Sequence, residues 1–174
     1  MPSPGAFVSN GRKSEPRQLA LALDHAESLA REDFLAGPSN AAALALIERW
    51  PDWPSRTILL RGPEGSGKSH LAAIWARASG ARTLSPRALD GAEVPVALAT
   101  GALVLENLTA GCFDEAALFH LLNLAREERA YVLITARSAP TTWQTALPDL
   151  TSRLRALPVV ALMSPDDTLF RAVL

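Results

Sequence analysis

Eight residues, Gly62-Pro63-Glu64-Gly65-Ser66-Gly67-Lys68-Ser69, constrain this chain more than any other stretch. Their spacing is G-x-x-x-x-G-K-[ST], a loop pattern that cradles phosphate groups. The apolar run Thr57-Ile58-Leu59-Leu60-Arg61 ahead of it predicts a short buried strand, and His70 to Ala78 behind it predicts a helix. Strand, glycine-rich turn and helix together distinguish the motif from a chance turn that happens to carry a lysine. The chemistry is electrostatic. Glycines let successive backbone N–H groups turn inward toward phosphate oxygens, and the helix start adds unpaired donors and a positive dipole end. Lys68 is placed to reach the outer phosphates and the Ser69 hydroxyl to ligate Mg²⁺.

The 174 residues suffice for one domain with a sizeable core, and 48% of them are hydrophobic. A net charge of −1 argues against a large nucleic-acid footprint. Cys112 is the single cysteine, so no internal disulfide forms, which suits a reducing cytoplasm. No apolar run approaches the roughly 18 residues of a membrane span, and Met1-Pro2-Ser3-Pro4-Gly5 is not built like a signal peptide. His70 and His120 lack metal-ligand spacing and read as structural.

Residues 1–17 are rich in Pro, Gly, Ser and charge and are expected to form a disordered tail. In Gln18-Leu19-Ala20-Leu21-Ala22-Leu23, leucine and alanine alternate. An extended conformation would put Leu19, Leu21 and Leu23 on one side, suited to docking in an apolar groove of another protein, with Gln18 hydrogen-bonding at its mouth. The first turn of an Ala/Leu helix is the plainer alternative. Residues 24–33 read as a charged linker. Ser39 or Asn40 is expected to cap a helix from Ala41 to Trp50, ended by Pro51. Trp50 and Trp53 read as core or lid packing.

After the loop helix, Gly80 is a helix stop and Ala81–Leu84 a short strand. Ser85-Pro86 reads as an N-cap with proline in the first helical position, opening a short helix plus loop over 86–99. Ala102-Leu103-Val104-Leu105-Glu106-Asn107 reads as a fully buried strand delivering an acid at its end. Asp114–Arg129 is an amphipathic helix, Tyr131–Thr135 another buried strand, and Pro140–Ala146 a short turn over Trp143. Leu147–Leu154 reads as a helix and Pro158–Leu162 as a last buried strand. Strands alternating with helices, with strands of continuous apolar character, imply a parallel sheet covered on both faces. The loop, Glu106 and Thr135 then fall at strand carboxyl ends, where such sheets bind ligands.

In that order the motifs resemble the AAA+ ATPase core, and within it the DnaA-like branch. Phe34-Leu35-Ala36-Gly37-Pro38-Ser39-Asn40 is similar to the branch's F-V-x-G-x-S-N opening, which implies that Phe34 and Leu35 border an adenine. Gly67-Lys68-Ser69-His70-Leu71 is similar to its GK-[ST]-H-L. Thr135 stands at the sensor 1 position, and Leu150-Thr151-Ser152-Arg153-Leu154 resembles the segment whose arginine acts as a finger toward a neighbouring subunit. From the pattern alone, without the resemblance, Arg153 reads as a surface or ion-paired helix arginine. The resemblance covers residues 34–174 and implies a three-layer αβα P-loop core over 34–163, with 164–174 starting a helical lid that is truncated or absent.

Within the branch the chain resembles the Hda/HdaA group, which inactivates DnaA. Gln18–Leu23 matches that group's Q-L-x-L-x-L motif for the β sliding clamp of DNA polymerase III, and Leu147-Pro148-Asp149-Leu150 resembles its L-P-D-L-x-S-R-L stretch. No DNA-binding helix-turn-helix follows. The resemblance implies resident ADP or ATP with Mg²⁺ on Ser69 and Glu106, DnaA as partner through the face carrying Arg153, and no sequence-specific DNA contact. It leaves homo-oligomerisation open. In place of the usual Asp-Glu of a Walker B strand stands Glu106-Asn107. Asn107 cannot act as a base, which predicts weak intrinsic hydrolysis. An autonomous P-loop ATPase or phosphotransferase, or a DnaA-like adaptor or loader, are the alternatives.

Overall fold

Short apolar runs bounded by turn chemistry form the centre of the molecule. A computed structural model of the chain describes residues 31–164. The tail 1–17, the Gln18–Leu23 motif, most of the linker and the lid residues after Ser164 lie outside the described residues. Strands β1 (Thr57–Arg61), β2 (Arg82–Leu84), β3 (Ala102–Leu108), β4 (Tyr131–Ala136) and β5 (Val159–Ala161) form one sheet in the order β2-β3-β4-β1-β5. Every pairing is parallel. Among the described residues five α-helices cover it: α1 (Ala41–Glu48), α2 (Lys68–Ser79), α3 (Val94–Ala97), α4 (Glu115–Glu127) and α5 (Pro148–Ala156).

Strand alternation sorts the core into two layers. Ile58 and Leu60 of β1, with Val104 and Leu133, face α1 and α2, where they meet Leu44, Ile47, Leu71 and Trp75. Leu59, Leu103, Leu105, Val132 and Ile134 face the other way, onto Leu98, Leu118, Leu121, Leu150 and Leu154 of the α3–α5 side. Each fully buried Leu or Ile contributes about 1.5–3 kcal/mol of transfer free energy. Ile58, Leu59 and Leu60 have no solvent exposure, so β1 is anchored from both faces.

The helix boundaries have local causes. Asp114 caps α4, its carboxylate accepting from the Ala117 N–H at 2.7 Å. Gly80 closes α2 in the left-handed region at φ 70°. The Glu115 carboxylate accepts from the backbone N–H groups of Ala146 and Leu147, both at 3.0 Å, and so ties the start of α5 to α4.

Three expectations are corrected in detail. Asn40 sits at the N-cap of α1 but makes no capping bond. Its side chain turns back into the preceding loop, accepting from Gly37 N–H at 2.9 Å and donating to Leu35 O at 3.0 Å. Ser85 likewise makes no capping bond, and Pro86–Ala88 is a single 3₁₀ turn. β5 is an edge strand: Val159 is 41% exposed and Ala161 is exposed, so the last strand is buried only in part.

Three tryptophans lock α1 and α2 to the sheet. Trp53 stacks on Trp75 with ring centroids 4.9 Å apart and donates to Leu46 O at 2.8 Å. Trp50 meets Trp75 and Tyr131 edge-on at 6.5 and 5.8 Å. Among the described residues no helix is long and apolar enough to cross a membrane. Trp75 is fully buried, so Trp75→Ala is expected to cost about 3–5 kcal/mol in urea unfolding, with Trp53 losing its stacking partner.

Candidate nucleotide site

The loop between β1 and α2 is set by close packing. A Cβ on Gly62 would lie 2.6 Å from Ser66 Oγ and 2.8 Å from the Leu162 carbonyl oxygen, so nothing larger than glycine fits without a shift. Gly62 N–H donates to Ala136 O at 3.1 Å, and Leu162 N–H donates to Arg61 O at 2.6 Å, which holds the start of the loop between the ends of β4 and β5. Gly65 and Gly67 have φ of 75° and 94°, the left-handed region that side chains disfavour. Gly67 leads into α2, whose first residue is Lys68.

Lys68 is buried at 6% exposure. Its ammonium donates to Pro63 O at 2.5 Å and to Ser66 Oγ at 3.3 Å. Burial lowers its pKa from the usual 10.5; the neighbouring Arg137 charge lowers it further, and Glu64 opposes both. A buried cation at the start of a helix, beside a glycine-rich turn, suits an anionic phosphate chain in charge. The cleft over the loop has a volume of about 400 Å³ and is lined by Glu64, Gly65, Gly67, Lys68, Ser69, His70, Asn107 and Arg137. That volume falls in the range of small-molecule sites.

Phe34 is buried with its ring 3.1 Å from where a Gly67 Cβ would stand and edge-on to His70 at 5.1 Å. Leu35 beside it is 87% exposed. Met163 N–H donates to Ser39 O at 3.0 Å, tying this opening segment to the chain after β5.

Thr135 is fully buried at the end of β4. Its hydroxyl accepts from Asn107 N–H at 2.9 Å, bridging the carboxyl ends of β4 and β3. Asn107 has φ 60° at an irregularity in the β3–β4 register between Leu105 and Leu108, a conformation Asn tolerates better than most residues. The strand re-aims its side chains there. Asn107 lines both the loop cleft and an adjoining cleft of about 300 Å³, and Glu106 lines only the adjoining one, with Thr83, Arg87 and Cys112. Of the two expected Mg²⁺ ligands, Ser69 therefore opens onto the phosphate cleft and Glu106 onto its neighbour. Mg²⁺ is often held by few protein groups plus phosphate oxygens, which Ser69 suits. Among the described residues no three His, Cys, Asp or Glu side chains cluster as a metal site.

Arg137 was not singled out in the sequence. It follows β4 by one residue, lines the phosphate cleft and bridges to Glu64 at 2.9 Å. The available signal was its place: the first cation after a buried strand that neighbours the loop strand. Arg153 is elsewhere. It lies at the end of α5 with its guanidinium 5.5 Å over the Phe119 ring, lining a different cleft with Thr57, the first residue of β1. The loop follows the last residue of β1, so Arg153 and the loop stand at opposite ends of the strands.

No protein-family model matches the chain, and no curated protein matches it in sequence. Solved structures do match in fold. A crystal structure of a DNA replication initiation factor is 19% identical with a TM-score of 0.65, covering 84% of this chain and 53% of that one. AMPPCP-bound DnaA from Aquifex aeolicus is 19% identical with a TM-score of 0.60, covering 82% and 52%. Domain III of the Thermotoga maritima replication initiation protein DnaA is 18% identical with a TM-score of 0.59, covering 84% and 72%. The chain spans about half the length of the first two. The fold is α/β, a five-stranded parallel sheet between helices, similar to that of these DnaA structures.

Lys68 supplies a direct test. Its folded pKa lies below 10.5, so between the two values the unfolded chain binds more protons and stability rises with pH toward 10.5. Lys68→Met should flatten this rise in urea unfolding across that alkaline window. It should also weaken ADP binding about 10- to 100-fold in a fluorescence titration, the loss of one charge-assisted bond.

Proposed function

We propose that this chain is an adenine-nucleotide-binding regulator of a DnaA-type replication initiator, of the Hda kind. Gln18–Leu23 would dock on the polymerase sliding clamp, and Arg153 would act on ATP bound to the initiator. The observation that carries this reading is the separation of Arg153 from the chain's own loop. A five-residue strand is roughly 17 Å long, too far for one arginine to serve the phosphates of its own subunit. An arginine so placed serves a nucleotide presented by a second subunit.

The loop cleft itself supports a sensing role. Among the described residues the only carboxylate lining it is Glu64, which is engaged by Arg137. Asn107 stands where a general base would be needed and cannot take a proton from water. Phosphate binding is thus provided for by Gly62–Ser69, while activation of the attacking water is not. ADP or ATP in this chain would set how its surface meets the initiator. In the initiator's site, Arg153 would stabilise the charge that develops on the transferred phosphoryl group.

The test is hydrolysis of initiator-bound ATP with clamp and DNA present. Arginine fingers contribute about 10³–10⁵ in rate, so Arg153→Ala should return hydrolysis to the initiator's own background. Replacing Gln18 and Leu19 by Ala should abolish the dependence on clamp. Unchanged stimulation in both variants overturns the reading. Multiple turnover by the isolated chain at about 1 s⁻¹ or faster, the range of working enzymes, would favour an autonomous ATPase.

A further inference from the structure

The amino ends of the strands, opposite the phosphate loop, gather four arginines. Arg56 immediately precedes β1, Arg129 stands two residues before β4, and Arg153 lies near the end of the helix that leads into β5. β4, β1 and β5 are neighbours in the sheet, so their amino ends converge. Arg126, one turn before Arg129 on α4, joins them. The four line one cleft of about 550 Å³, floored by apolar residues that include Leu122 and Leu157. Glu127 and Glu128 lie between Arg126 and Arg129 in sequence, yet neither lines it, and no acidic residue does. Among the described residues none of the four is ion-paired.

Two of the guanidinium groups are held in place by contacts that leave their charge unmatched. Arg56 donates to Arg129 O at 2.6 Å and stacks 4.6 Å over the Tyr131 ring. Arg153 rests over Phe119. Ring faces orient a guanidinium without neutralising it, and its remaining N–H groups stay available as a fork. Four like charges share a space comparable to a Debye length, so they repel and raise the local potential. The complementary ligand is a compact polyanion with several acceptor oxygens per charge, and phosphate oxygens meet guanidinium forks with matched geometry.

We propose that this cleft is a polyphosphate receptor, binding a chain of two or more linked phosphates through Arg56, Arg126, Arg129 and Arg153. It goes beyond the proposed function, in which Arg153 alone meets a partner's nucleotide, by assigning three further arginines and a ligand that needs no partner.

The test uses the full chain carrying Lys68→Met, which disables the phosphate loop, and inorganic tripolyphosphate as probe in a calorimetric titration. One equivalent is expected to bind, and Arg126→Gln with Arg129→Gln should weaken it at least tenfold. Both residues are exposed, so the double variant is expected to fold, and its circular dichroism and urea midpoint check this. Absence of binding, or binding indifferent to Arg126 and Arg129, overturns the proposal. So does binding of a single-stranded DNA 20-mer in place of tripolyphosphate, which would assign the cleft to nucleic-acid backbone. A second arm separates the sources of phosphate. Tripolyphosphate that binds and competes with stimulation of initiator hydrolysis identifies the cleft as the seat of a partner's phosphates. Tripolyphosphate that binds without competing identifies a free ligand. The first arm contains no initiator, so its failure leaves the proposed function standing, and loss of stimulation by Arg153→Ala would not rescue it.

Discussion

The close approach of Gly62 to Ser66 Oγ and Leu162 O fixes the phosphate loop, and the rest of the site follows from it. β1 arrives rigid, buried on both faces by two separate core layers. At its end the chain must turn between β4 and β5, and only a residue without a Cβ clears the Leu162 carbonyl. The turn then brings Pro63 O over the start of α2, where it accepts from the Lys68 ammonium. Phe34 closes the other side against Gly67. Lys68 is thereby buried before any ligand is considered, and burial together with Arg137 lowers its pKa. The same packing holds the Lys68 cation in a poorly solvated place at a cost to its charged form, and an anionic phosphate there would be attracted more strongly than in water.

Much of this was legible in residue order. The strand–loop–helix unit, the buried β3 and β4, the amphipathic α4 and the Gly80 stop were readable because each rests on local chemistry: apolar runs, a 3.6-residue stripe, a left-handed glycine. Expectations failed where a side chain had more than one local partner available. Asn40 has the right identity and place for a cap, but the loop donor Gly37 N–H and the acceptor Leu35 O claim its amide first. β5 is apolar in sequence yet half-exposed, because burial of an apolar strand depends on whether the sheet continues beyond it, and Val159 lies at an edge.

The site was legible in its parts more than in its convergence. Gly62–Ser69 and Thr135 lie at the carboxyl ends of the neighbouring strands β1 and β4, but Thr135 is fully buried and does not line the loop cleft. Asn107 was read as a missing base. The structure adds that its backbone N–H is anchored to the Thr135 hydroxyl and that its φ of 60° marks the break in register. Glu106, one residue before it, lines the adjoining cleft. A shift of this kind has no signature in an apolar run ending in Glu-Asn, because the same letters fit a regular strand. Arg137 escaped notice for a related reason: one cation after a strand is common, and its meaning comes from β4 lying beside β1.

The arrangement of charge makes the same point at the scale of the whole chain. With 17 basic and 18 acidic residues, composition offers no basic footprint at all. Yet four of those cations share one cleft that no carboxylate lines. They come from three separate stretches of sequence, and only the strand order β4-β1-β5 makes them neighbours. Near-neutral net charge therefore excludes a diffuse polyanion-binding surface, while leaving room for a small focused one. The sheet thus carries cationic clefts at both ends of its strands, one around a buried lysine at the carboxyl ends and one around exposed and half-exposed arginines at the amino ends. A buried cation in a tight loop suits a ligand held within the subunit. Open arginines with free forks suit one that arrives from outside, and that difference in solvation is the physical basis for the separate roles proposed for the two ends of the strands.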